Sequence, residues 1–297
     1  MKKILFLLLT VSIGLFSQTG VTPRLSPKSS ITSTVGFTEI RIDYSSPGVK
    51  GRKVFGDLEG YGTIWRAGAN EATKITFSTD VKVNGHTVPK GSYSFFVIPE
   101  VTNEWTLIFN KVTDQWGVSS YDESKDFLRL VIEPDFTQES RERLIYDIQS
   151  NGIDKATIQL YWSLLKLPFV VEVDFMKDID NQLERVLKEQ KPGEEWRPYY
   201  DLANFFSRPE YNHPKTEMWI DKVLTDLESS SSENNDEKES NLDRAYWVKA
   251  KLLAKNNRKK QAWALFQQIS TGKRSQFIHD NIGRIQNTAA EWATSSQ

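Results

Sequence analysis

The stretch WRAGANEAT, residues 65–73, sets a guanidinium (Arg66), an amide (Asn70) and a carboxylate (Glu71) beside an indole (Trp65). Groups of these types do one of two things. They converge on a hydroxyl-rich molecule or a peptide, since a binding site needs a few polar groups on an apolar wall. Alternatively they pair with each other, Arg66 with Glu71, while Asn70 satisfies the loop backbone, and so lock an irregular connection. Gly68 is expected to supply the backbone freedom of the turn. The preceding stretch, YSSPGVKGRKVFGDLEGYGTI, adds Tyr44, Lys50 and Arg52 to the candidate ligand-binding set. A second group follows in WGVSSYDESKDFLRL, with Trp116, Tyr121, Asp126 and Arg129. In a two-sheet fold it can meet the first group at one end, or be no more than a loop before an edge strand. If the chemistry is hydrolysis, Glu71 is the acid or base and Asp126 or Asp57 the second carboxylate.

Other chemistries are excluded by what is scarce. Histidine occurs three times (His86, His213, His279) and cysteine not at all. That removes zinc-type ligand spacing and makes Ser-His-Asp and Cys-His nucleophiles poor readings. There is no phosphate-binding loop and no dinucleotide fingerprint, so no cofactor and no metal are expected. Asp174, Asp178, Asp180 and Asn181 lie close in sequence but lack the Gly and terminal Glu of a calcium loop; they read as a solvated helix start. A formal net charge of −1 gives no global field for nucleic acid.

These residues need elements to position them. From Thr34 to about Met176 the apolar pattern has a period of two, as in TEIRIDY, EWTLIF, FLRLVI and ATIQLYW. Short β-branched and aromatic runs between turns predict an antiparallel all-β sandwich or barrel. SYSFFVI reads as a strand buried on both faces, and Asn84-Gly85 as a two-residue hairpin. From residue 177 to 297 the period is helical. Ala250, Ala262 and Phe266 carry the small–small–aromatic spacing of a tetratricopeptide-like pair, and Ala203 with Trp219 a looser copy. Trp196, Trp219, Trp247, Trp263 and Trp292 read as core at that spacing. The polar run SSSSENNDEKES, residues 229–240, is expected to be a mobile loop. A helical array this short is expected to engage a protein partner and to lean on the β part.

At the N-terminus, MKKILFLLLTVSIGLFSQ has the basic, apolar and small-residue order of a signal peptide over residues 1–17, with cleavage near Ser17-Gln18. Residues 18–33 would then be an extended lead-in. The apolar run is shorter than the ~20 residues of a spanning helix, so no membrane span is expected. The mature chain is expected to be exported, either periplasmic or secreted.

YSSPGVKGRKVFG, YGTIWRAGANEATKITF, VNGHTVPKGSYSFFVIP, EWTLIFNK and YDESKDFLRL together resemble the domain of unknown function (DUF) 2911 family over about residues 35–175. The resemblance implies an exported protein with a helical tail and no established activity. Ser46 and Gly60 depart from the family, which more often has arginine and proline there. The leading expectation is a module that binds a glycan, peptide or small polar ligand; the alternatives are a carboxylate hydrolase and a structural envelope component.

Overall fold

The computed structural model describes residues 22–230, 235–271 and 275–293. The expected signal peptide and its cleavage point lie outside these residues. The chain divides between Asp174 and Phe175 into a β unit and a helical unit.

The β unit holds two antiparallel sheets. The first, in the order β1-β2-β3-β6-β7-β8, is built from Lys28–Val35, Thr38–Ser45, Thr73–Phe77, Gly91–Ile98, Trp105–Asn110 and Asp126–Ile132. The second, β5-β4-β10-β9, uses His86–Val88, Val81–Val83, Lys155–Val173 and Asp135–Ser150. Alternation sets the faces: in β2, Ile40 and Ile42 are fully buried while Glu39 and Arg41 face solvent. Side chains of both sheets meet in one core, where Trp65, Trp105, Trp162 and Phe169 are buried. Strand structure begins at Lys28, inside the stretch expected to be a mere lead-in. Asn84 and Gly85, at φ of 45° and 83°, make the β4–β5 hairpin as the sequence predicts.

Strand β6 is buried on both faces for a specific reason. Phe95 and Val97 point into the main core, whereas Phe96 joins Ile108 and Ala72 in a small second cluster, with Ile64 and Tyr121 packed on it. The loops that carry the candidate residues therefore cover the outer face of β6 and β7.

The helical unit contains α1 (Phe175–Lys188), α2 (Trp196–Phe206), α3 (Thr216–Ser229), α4 (Asn235–Lys255), α5 (Lys259–Thr271) and α6 (Gln276–Ala293). Ala203, Phe206 and Trp219 share one core; Ala250, Ala262, Phe266 and Trp292 share another. Asn257, at φ 61°, is the left-handed residue that ends α4. Within the run expected to be a mobile loop, Asn235 to Ser240 are helical and form the first turns of α4, favoured by Asp236 and Glu237 at the positive end of the helix dipole. Residues 231–234 lie outside the described residues. No helix among the described residues is long and apolar enough to cross a membrane.

Candidate functional site

The segment RAGANEA is an excursion out of a sheet ladder. Trp65 exchanges both backbone hydrogen bonds with Val97 of β6, at 2.8 Å each. Two positions away on β6, Phe95 faces Thr73, the start of β3. Residues 66–72 leave the sheet between these points, and Thr73 closes their base through its hydroxyl, which donates to the Ala67 carbonyl at 2.9 Å. The left-handed residues of the excursion are Ala67 (φ 49°) and Asn70 (φ 60°), not Gly68. Gly68 is required for space instead, because a Cβ there would stand 2.8 Å from the Thr73 hydroxyl. Trp65 is core: it stacks on Trp162 at 5.6 Å and donates its indole N–H to the Gly68 carbonyl. It offers nothing to a ligand, contrary to the sequence reading.

Glu71 does not pair with Arg66. Its carboxylate takes a two-pronged hydrogen bond from Arg24, at 2.7 and 2.8 Å, and a third contact from Lys28 Nζ at 3.2 Å. Asn70 Nδ2 donates to the Ser26 carbonyl, and the Ser46 amide to that of Pro27. Arg143 of β9 donates to the carbonyls of Leu25 and Ser46. A strap of residues 24–28 is thus tied across the excursion. The Arg24 hydrogen bonds hold the Glu71 carboxyl at about 2, well below its ordinary 4.5. On the other side the excursion is zipped to the 115–117 loop, with Ala72 N–H on the Gln115 carbonyl and Gly117 N–H on that of Asn70. Between the two lies Trp116, 61% exposed, with the Arg24 guanidinium 5.9 Å from its ring centre.

Arg66 turns elsewhere. Its guanidinium lies against Gly117, where a Cβ would come within 3.2 Å of Nη1, and its buried Nε has no partner. Within its electrostatic reach is Glu59, a residue that the sequence did not single out. Burial pushes the Glu59 carboxyl up to about 7, against the opposing pull of Arg66 and Arg52. Nothing in GDLEGYG marks that carboxylate; only folding the glycine-rich loop onto the sheet desolvates it.

Residues 26–171 match the family described as Protein of unknown function (DUF2911). This span belongs to the DUF2911 family. No curated protein and no solved structure matches the chain. The matched span begins at Ser26, so the strap crosses its edge, with Arg24 just outside.

The remaining predicted residues of the DUF2911 domain do not gather around Glu71. Tyr44 packs edge-on against Tyr146, with ring centres 4.9 Å apart. Arg52 donates to the carbonyls of Val49 and Gly48, and the Lys50 amide donates to Glu142 of β9. The Ser46 hydroxyl is buried and donates to the Leu144 carbonyl at 2.7 Å. The second group is a closed knot. Asp126, whose side chain is 6% exposed, accepts from Asn110 Nδ2 (2.8 Å), the Tyr121 hydroxyl (2.6 Å) and Arg129 (2.9 Å). Its carboxylate has its acceptor capacity committed to structure, so it is poorly placed to be the second carboxylate of a hydrolase. Among the described residues no three His, Asp or Glu side chains are arranged to hold a metal ion.

Proposed function

We propose that the DUF2911 domain is a non-catalytic binding module of an exported protein, taking a hydroxyl-rich ligand such as a glycan on Trp116, with the helical unit engaging a protein partner. The observation that carries this reading is the exposed Trp116 ring. Its loop is pinned by backbone pairing to Asn70 and Ala72, and a cation backs its ring. A large aromatic left open on a fixed loop, with Arg24 over its ring and Glu71 bridged to its backbone, is unlike a scattered surface residue. The flat C–H face of a sugar suits the indole, and its hydroxyls suit the fixed polar rim.

A hydrolase built on Glu71 fits less well. A carboxylate held near 2 is a feeble proton acceptor at neutral pH and cannot donate a proton there. If the domain does perform acid–base chemistry, Glu59 is the better group, since its carboxyl sits near 7. The test is titration calorimetry of the full mature chain against a panel of oligosaccharides, with Trp116→Ala as control. At least one oligosaccharide should bind, and the variant should lose tenfold or more in affinity while keeping its melting temperature. A panel with no binder, or binding indifferent to Trp116, would defeat the proposal.

A further inference from the structure

The strap of residues 24–28 lies on the DUF2911 domain as a bound peptide would. Three successive carbonyls are each met by a donor of the domain: Leu25 by Arg143 of β9 (3.2 Å), Ser26 by Asn70 Nδ2 (3.2 Å) and Pro27 by the Ser46 amide (2.9 Å). Contacts of that kind hold an extended chain whatever its side chains, and leave selection to a side-chain pocket. The pocket here takes Arg24. Its Nη1 and Nη2 meet the two oxygens of Glu71 at 2.7 and 2.8 Å, and its guanidinium lies 5.9 Å from the centre of the Trp116 ring. A carboxylate matched to a planar fork, with an aromatic face beside it, suits arginine and not lysine. Glu71, Asn70, Ser46, Arg143 and Trp116 all fall within residues 26–171, whereas Arg24 precedes that span.

These contacts are polar and superficial. Leu25, the bulkiest apolar residue of the strap, is 77% exposed, and Pro23 and Pro27 are exposed as well. The segment precedes β1, so its departure leaves the pairing of Lys28 with Ser45 and every later ladder intact. A segment held in this way opens at less cost than the sheet beneath it. We propose that Glu71, Trp116 and the carbonyl-binding donors form a site for an extended peptide bearing arginine, with residues 24–27 as its resident, exchangeable occupant. Tethering favours that occupant over a free peptide, because a short linker gives an effective concentration on the order of mM. A partner segment therefore competes when the strap is weakened.

This inference stands apart from the glycan reading and is probed with a peptide, not a sugar. Full mature chains, wild type and Arg24→Ala, are titrated calorimetrically with an acetylated, amidated peptide TPRLSP, the sequence of residues 22–27. Arg24→Ala frees the Glu71 carboxylate and should bind the peptide about tenfold or more tightly than wild type does. The same peptide with lysine in place of its arginine should bind this variant about tenfold or more weakly. Adding Glu71→Gln or Trp116→Ala to Arg24→Ala should weaken the arginine peptide to a similar extent. Arg24→Lys, which keeps a cation on Glu71, serves instead if Arg24→Ala unfolds, and should still bind the arginine peptide more tightly than wild type. No binding to either Arg24 variant, binding equal to that of wild type, or indifference to the lysine exchange would each overturn the proposal and leave the strap a fixed part of the fold.

Discussion

Replacing Glu71 by Gln tests whether the excursion at 66–72 is a staple or an open site. The variant keeps the size of the side chain and removes the charge that Arg24 and Lys28 hold. Lowering a carboxyl from 4.5 to about 2 corresponds to ~3.4 kcal/mol at ~1.4 kcal/mol per pH unit. The Glu71 side chain is 37% exposed, so solvent screens part of this. We therefore expect a loss of ~1–2 kcal/mol at pH 7. Because the folded pKa is the lower one, this contribution is complete above about 4.5 and disappears as pH falls toward 2. The assay is urea unfolding of wild type and Glu71→Gln at pH 7 and pH 3, followed by tryptophan fluorescence. The gap between the two proteins should narrow sharply at pH 3. If the variant at pH 7 lies within ~0.3 kcal/mol of wild type, an ordinary surface change, the strap is not held by this pair and the staple is refuted.

Glu59 should behave in the opposite sense. Its folded pKa is raised to about 7, so the protonated form favours folding and that contribution is lost as pH rises through 7. Glu59→Gln should gain ~2 kcal/mol at pH 8 after allowing for partial exposure, and almost nothing at pH 4. Calorimetric melting at the two pH values checks this, and a pH-independent difference would contradict it. Asp126→Ala strands Asn110, Tyr121 and Arg129 together, and should cost ~3–5 kcal/mol in urea unfolding. A cost below ~1 kcal/mol would show that the knot is not structural.

The architecture was legible because it rests on local periodicity. TEIRIDY and ATIQLYW alternate, and each of Ile40, Ile42, Ile158 and Leu160 is fully buried. The Asn-Gly hairpin needs only the φ values that Asn84 and Gly85 accept. The helix boundary inside SSSSENNDEKES was not legible. Its polar composition suits a loop, yet its acidic residues fall where a helix start is helped by them, and the apolar side of α4 that anchors the helix lies further on.

The site was legible by residue type and not by partner. Arg66 stands five positions from Glu71, and a local reading pairs them. The true partner, Arg24, is 47 positions away and comes from a stretch with no pattern of its own. Two facts of the fold defeat the local pairing. The chain must leave the ladder at Trp65 and return at Thr73, and the 115–117 loop must close over the outer face of β6. The second places Gly117 against the Arg66 guanidinium, and the first leaves Glu71 facing the strap. Trp65 was misread for the same reason: its ladder position opposite Val97 sends the indole into the core. Trp116, whose single bridge is to Glu71 of the excursion and not to a strand of the sheet, is left in the open. Which of two tryptophans can meet a ligand is therefore decided by strand register, and register is a property of pairs of segments that neither segment carries alone.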